Sequence, residues 1–258
     1  DEIENLRAAQ EHLKIVNLGA TAIGTTVTAA PGYPELAVKN LAELTGIDFK
    51  NSEDLIAATS DCGAYMTLSS AIKGLAVKMT KVCNDIRLLA SGPRCGLKEI
   101  NLPQLQPGSS IMPGKVNPVA AEVANQASFL AIGLDTTVML AASAGQLELN
   151  VMEPVITFAL YTQMKVMTNA CDTLRTKLVE GVTANTERCK DYVMNSIGIV
   201  TLLKPHFGYQ KCAAIAKEGY TTGKSLHQIV VDEQHLMTQA EWDATFNTQN
   251  LIHPKFVK

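Results

Sequence analysis

Residues 108–118 read Gly-Ser-Ser-Ile-Met-Pro-Gly-Lys-Val-Asn-Pro, the densest chemistry in the chain. Ser109 and Ser110 supply adjacent hydroxyls, and Lys115 and Asn117 add a cation and an amide six and eight residues beyond Ser109. The glycines and prolines break any regular element, so the stretch is a loop. It runs straight into an apolar helical pattern. Asn117 suits the N-cap of that helix and Pro118 its first position, where no amide hydrogen is needed. A helix starting at 117 or 118 would set its free N–H groups and positive dipole end beside Lys115 and the two hydroxyls. Such a corner binds an anion, either a carboxylate or a phosphate. An arbitrary Gly-Ser-Ser would be only a solvated loop before a capped helix; the whole eleven-residue string sets this one apart.

The elements that must position the loop are helical. Aromatics make up 5% of the chain and the apolar content is mostly Ala, Leu, Val, Ile and Met, which suits helix packing better than a sandwich of sheets. A first helix begins with the chain, and Ile3, Leu6 and Leu13 sit at helical spacing from its first turn, as in a fragment that opens mid-helix. After a Gly/Thr-rich loop, apolar spacing predicts a short helix over 35–45 ended by Gly46, then long helices over 52–90 with Ser52 as N-cap, 118–143, and 153–179. Val155, Phe158, Leu160, Met167 and Leu174 are assigned to the buried side of the last of these. Ser69 and Ser70 fall mid-helix, where they pack or face solvent. Helices of about 25 to 40 residues span roughly 40 to 60 Å, longer than a compact domain needs. The expected fold is therefore all-α: an elongated bundle over residues 1–180 completed by oligomerisation, followed by a small C-terminal helical domain over 181–258 with short helices at 185–195, 208–220, 224–232 and 238–246.

With a net charge of −3, the chain has no basic footprint for nucleic acid or an acidic membrane surface. The nearest candidate for a membrane span, 123–147, carries Asn125, Gln126, Asp135 and Gln146. The six cysteines form no C-x-x-C pair and do not cluster with the five histidines, so neither a zinc site nor another cofactor is expected. Cys62 and Cys83 fit a helical apolar pattern as small reduced core residues, and a reducing, cytoplasmic setting follows.

The loop string matches every fixed position of G-S-S-x-x-P-x-K-x-N and resembles the signature loop of the aspartase/fumarase superfamily. The similarity extends to 17–25, 59–65, 91–94, 99–103, 149–154 and 195–201; the segments around Thr59, Glu153 and Thr168-Asn169-Ala170-Cys171 resemble the aspartase branch more than the fumarase branch. The resemblance implies a lyase that takes ammonia from L-aspartate to give fumarate. In it, Ser109 matches the general base that removes the Cβ proton, leaving an aci-carboxylate, and Glu122 matches a residue that orients a histidine from another segment. The substrate, a small dicarboxylate, would be held by Ser110, Ile111 and Met112 in the loop and by Lys115 and Asn117. Glu122 also complements the dipole of its helix, whatever else it does. The family further implies a homotetramer whose active sites draw segments from three subunits, two of them N-terminal to the region present here. Lys204 stands where Asn is expected before Pro205, and His206 with Gly208 and Tyr209 resembles the fumarase version; Thr26 replaces an expected glycine. A fumarate hydratase and a non-catalytic fragment are the two competing readings.

Overall fold

The computed structural model describes residues 1–108, 111–112 and 114–253, and its regular structure is mostly helical. It divides into two compact units, residues 1–183 and 184–258.

The first unit holds α1 (Glu2–His12), α2 (Tyr33–Thr45), α3 (Ala57–Ser60), α4 (Gly63–Leu89), α5 (Val119–Ser143) and α6 (Glu153–Lys177). Two short strands, β1 (Ile15–Val16) and β2 (Lys50–Asn51), pair in parallel with Ile15 opposite Lys50. α5 packs against both α4 and α6, and α1 lies along α4. The three long helices have 27, 25 and 25 residues, which at 1.5 Å per residue is about 40 Å each.

Small side chains let α5 approach its neighbours closely. Ala120, Ala121, Ala124 and Ala131 lie against Ile72, Ala76, Cys83 and Met167, while nearer its other end Val138 and Ala141 meet Cys62, Ile156, Ala159 and Leu160. Ile156 is fully buried, a contribution of about 1.5–3 kcal/mol. Both Cys62 and Cys83 are core residues, as their spacing predicts. Among the described residues, α5 alone is long and apolar enough to cross a membrane by length and composition.

The predicted helix over 52–90 is instead two helices. Asp54 Oδ1 accepts the N–H groups of Ile56 and Ala57 at 3.0 Å, so it, rather than Ser52, starts the first of them. The chain then turns out at Asp61, whose carboxylate accepts the Gly63 N–H at 2.9 Å as α4 begins. Cys62 stays on the buried side across this break, so the apolar period runs through it unmarked. On α6, Leu160 and Met167 are buried as predicted, but Phe158 is 65% exposed and Val155 also faces outward. Gln163 takes the interior position.

Gln163 belongs to a polar cluster that overturns the reading of Ser69. Ser69 is fully buried; its hydroxyl donates to Asp135 Oδ1 at 2.8 Å and accepts from Gln163 Nε2 at 3.1 Å. Gln163 also donates to the Ala131 carbonyl at 2.9 Å, Lys73 Nζ reaches Asp135 Oδ2 at 2.5 Å, and Ser70 donates to Asp135 Oδ1 at 3.4 Å. These bonds tie α4, α5 and α6 at mid-length and offset much of the cost of burying polar groups among alanines, although Gln163 Oε1 accepts no hydrogen bond among the described residues.

The second unit contains α7 (Thr186–Met194), a 3-10 helix (Ile197–Leu203), α8 (Lys204–Thr222), a π-helical turn (Gln228–Glu233), α9 (Gln239–Thr245) and α10 (Thr248–Ile252). α8 begins four residues before its predicted start and kinks at Gly208, where φ is 72° and ψ 171°. Leu203, Cys212, Ile215, Leu226, Ile229 and Trp242 form its core. Thr238 and Glu241 make a reciprocal capping box at the head of α9, and the two hydrogen bonds from Thr238 hold the Glu241 carboxyl below the usual range.

Candidate active site

The loop that carries the chemistry is closed at its base. A Cβ at residue 108 would sit 1.5 Å from the Lys115 carbonyl oxygen, so only glycine permits this approach of the two limbs. Asn117 Nδ2 donates to the Gly108 carbonyl at 2.6 Å and fastens the same closure.

That bond corrects the expected cap. Asn117 makes no capping hydrogen bond to α5, the cap position is held by Pro118, and the helix starts at Val119. The Gly108 carbonyl, brought near by the closed loop, claims the amide instead. Lys115 still lies four residues before the positive end of α5; its side chain is exposed and makes no hydrogen bond or ion pair with the described residues. Ile111 is 85% exposed and Met112 is exposed with it. Glu122 is half-buried in the first turn of α5, and its carboxylate likewise has no partner among the described residues. Ser109 and Ser110 lie outside the described residues. The structure thus brings together Lys115, Asn117 and the first turn of a 25-residue helix, an arrangement suited to a carboxylate.

Two cavities flank the bundle at opposite ends of α4. Beside the loop, one of about 170 Å³ is lined by Arg87, Ala90, Ser91, Gly92, Pro93, Lys98, Leu102, Gly114, Val116 and Pro118. Arg87 and Lys98 carry no motif; their signal in the sequence is only that they bracket the Ser91-Gly92-Pro93-Arg94 segment. The other, of about 440 Å³, opens where α4 and α6 begin, and takes in His12, Asn17, Asp61, Tyr65, Thr67 and Glu153. Burial, then the negative charge of Glu153, pushes the Tyr65 hydroxyl up, and burial with Glu153 and Asp61 does the same to the Cys62 thiol. At the loop end, burial pushes the Cys83 thiol up while the charge of Arg87 pulls it back. Among the described residues no three His, Cys, Asp or Glu side chains gather as a metal site requires.

Comparison with known proteins bears on this geometry. The family described as lyase matches residues 1–133, and the one described as fumarase C C-terminus matches residues 199–253. Aspartate ammonia-lyase of Escherichia coli (strain K12) is 56% identical over 256 residues, 99% of this chain and 53% of its own length. That of Helicobacter pylori (strain ATCC 700392 / 26695) is 50% identical over 257 residues, 100% of this chain and 55% of its own. Among solved structures, the cobalt-bound fumarate lyase:delta crystallin of Brucella melitensis superposes with a TM-score of 0.90 at 40% identity, covering 95% of this chain and 53% of that one. The class II fumarase of Schistosoma mansoni also gives 0.90, at 29% identity over 98% of this chain and 56% of that one. The chain spans about half the length of the curated relatives it matches.

Proposed function

The chain belongs to the lyase family, and on that footing we propose that it is part of an aspartate ammonia-lyase, an enzyme that eliminates ammonia from L-aspartate to give fumarate. The observation that carries the proposal is the 56% identity to the Escherichia coli enzyme of that name across 99% of this chain.

In this reading Ser109, as alkoxide, takes the Cβ proton of aspartate. Serine is a weak base in water, so the electropositive loop around Lys115 must stabilise the alkoxide. The electron pair left at Cβ moves into the β-carboxylate as an aci-carboxylate, whose added charge is met by the Ser110 hydroxyl and by loop N–H groups along Ser110-Ile111-Met112. Collapse of that intermediate forms the Cα–Cβ double bond and breaks the Cα–N bond, releasing ammonia. Lys115 and Asn117 hold the other carboxylate. Supporting their assignment, Lys115 has no competing partner among the described residues, and Asn117 is fixed to Gly108. The Glu122 carboxylate, which has no partner among the described residues, would orient a histidine from elsewhere in the assembly.

We place the working enzyme in the cytoplasm as a homotetramer with shared sites. All six thiols are free, and Phe129, Leu140, Phe158 and Tyr161 expose apolar surface along α5 and α6 that other copies would cover. The matching fumarase C C-terminal family over 199–253 favours a second reading, fumarate hydratase, using the same Ser109 base. The test is ultraviolet detection of fumarate when the full-length protein is given L-aspartate or, in parallel, L-malate. Fumarate from aspartate is the expected result; fumarate from malate alone makes it a hydratase, and none from either would overturn both readings.

A further inference from the structure

Among the described residues, the 170 Å³ cavity beside the loop has two cations in its lining, Arg87 and Lys98, and no acidic residue. It takes Gly114, Val116 and Pro118 from the limb that leads into α5 and leaves out Lys115 and Asn117, the latter turned toward Gly108. The lining of the cavity is therefore distinct from the two residues proposed to hold substrate.

The walls of the cavity are tightly built. Ser91 accepts the Lys98 N–H on its carbonyl at 2.8 Å and the Leu97 N–H on its hydroxyl at 3.1 Å. A Cβ at residue 96 would meet the Ser91 backbone at 2.4 Å, so glycine is required where the chain folds back. Arg87 makes no ion pair with the described residues; its one hydrogen bond there runs to Asn84 Oδ1 at 3.4 Å. The carboxyl end of α4 also borders the space, and Arg87 in its last turn offsets those carbonyls.

We propose that this cavity is an anion subsite, which takes a small oxyanion, phosphate or carboxylate, between the Arg87 guanidinium and the Lys98 ammonium. The guanidinium fork suits two oxygens of such an ion, and the ammonium acts as a point charge on a third. An occupant would rest against Gly114 and Val116 and so bias the pose of the limb that presents Lys115. That second effect rests on the lyase reading above; the binding itself does not.

The experiment titrates the full-length protein with inorganic phosphate by calorimetry at constant ionic strength, with chloride as the balancing salt. Saturable binding is expected that survives Lys115→Ala and weakens at least tenfold in the Arg87→Gln, Lys98→Gln double variant with its helical circular dichroism intact. Binding lost in Lys115→Ala but kept in the double variant would assign the ion to the substrate side and overturn the proposal, as would no saturable binding at all. Should the double variant not fold, a crystal of the unaltered protein soaked in selenate decides the matter. Anomalous density between Arg87 and Lys98 supports the subsite; density at Lys115 alone, or none, refutes it. Because binding is read without turnover, an inactive preparation would count against the lyase reading and leave this test standing.

Discussion

The two ends of α4 differ in the sign of their charge. Among the described residues, Asp61 and Glu153 at its start line a cavity with no Lys or Arg, and Arg87 and Lys98 at its finish line one with no Asp or Glu. From Gly63 to Arg87 α4 rises 24 steps, about 36 Å along the helix axis. Two buried thiols sense the difference: burial pushes both up, but neighbouring charge pushes Cys62 further and draws Cys83 back. By charge, the end that carries Arg87 and Lys98 is the one suited to an anion. The loop with Lys115 belongs to the cationic end.

The largest test of that division sets Ser109→Ala against Glu153→Gln in the full-length protein. Ser109→Ala should lower kcat by about 10²–10⁴, the usual range for removing a positioned base. Glu153→Gln should leave kcat within about threefold. An equal loss in both would mean that another subunit joins the two ends in one site.

Next in size, Lys115→Ala should raise KM by about tenfold or more with kcat little changed, because a charge-assisted contact to a bound carboxylate is worth about 1.5–3 kcal/mol. An unchanged KM in steady-state assays would remove Lys115 from substrate binding. Asp135→Ala strikes midway between the ends. It should cost about 2–4 kcal/mol in thermal or denaturant unfolding, because buried Ser69 loses its acceptor, and leave KM unmoved. The Lys73 contact adds little to that loss, as its side chain is 40% exposed and solvent screens the pair.

The smallest expected effect is read by the thiols. Glu153→Gln should lower the pH at which Cys62 becomes open to alkylation, and Arg87→Gln should raise that of Cys83. Opposite shifts would contradict the charge difference. The unfolded chain ionises its thiols from about pH 8.5 while the folded chain holds these two protonated longer. The folded state therefore binds more protons in that window, and stability falls as pH rises through it.

The long helices were legible because apolar period is a strong local signal; α5 begins one residue after its predicted start, and α6 ends two before its predicted end. The break at Asp61 was not, because Cys62 keeps the period while a carboxylate captures the Gly63 N–H. Asn117 shows a different limit: its fitness as a cap is local, but the Gly108 carbonyl that wins it is nine residues away and arrives only when the loop closes. Ser69, Asp135 and Gln163 were beyond reach for the same reason, since their partners lie 66 and 94 residues from Ser69. In the candidate site, Lys115, Asn117 and Glu122 fall near the head of α5, as the motif implied. Arg87 and Lys98 carry no motif and become visible only through the cavity they share.

The Ser69 hydroxyl both gives and receives a hydrogen bond, to Asp135 on one helix and from Gln163 on another. A substitution of Ser69 takes one partner from each of the other two, leaving Asp135 with Lys73 and Ser70 and Gln163 with the Ala131 carbonyl. Inheritance should therefore treat the trio as a unit: lineages of this protein would keep all three, or pass in few steps to an all-apolar set, and mixed sets would be rare and short-lived.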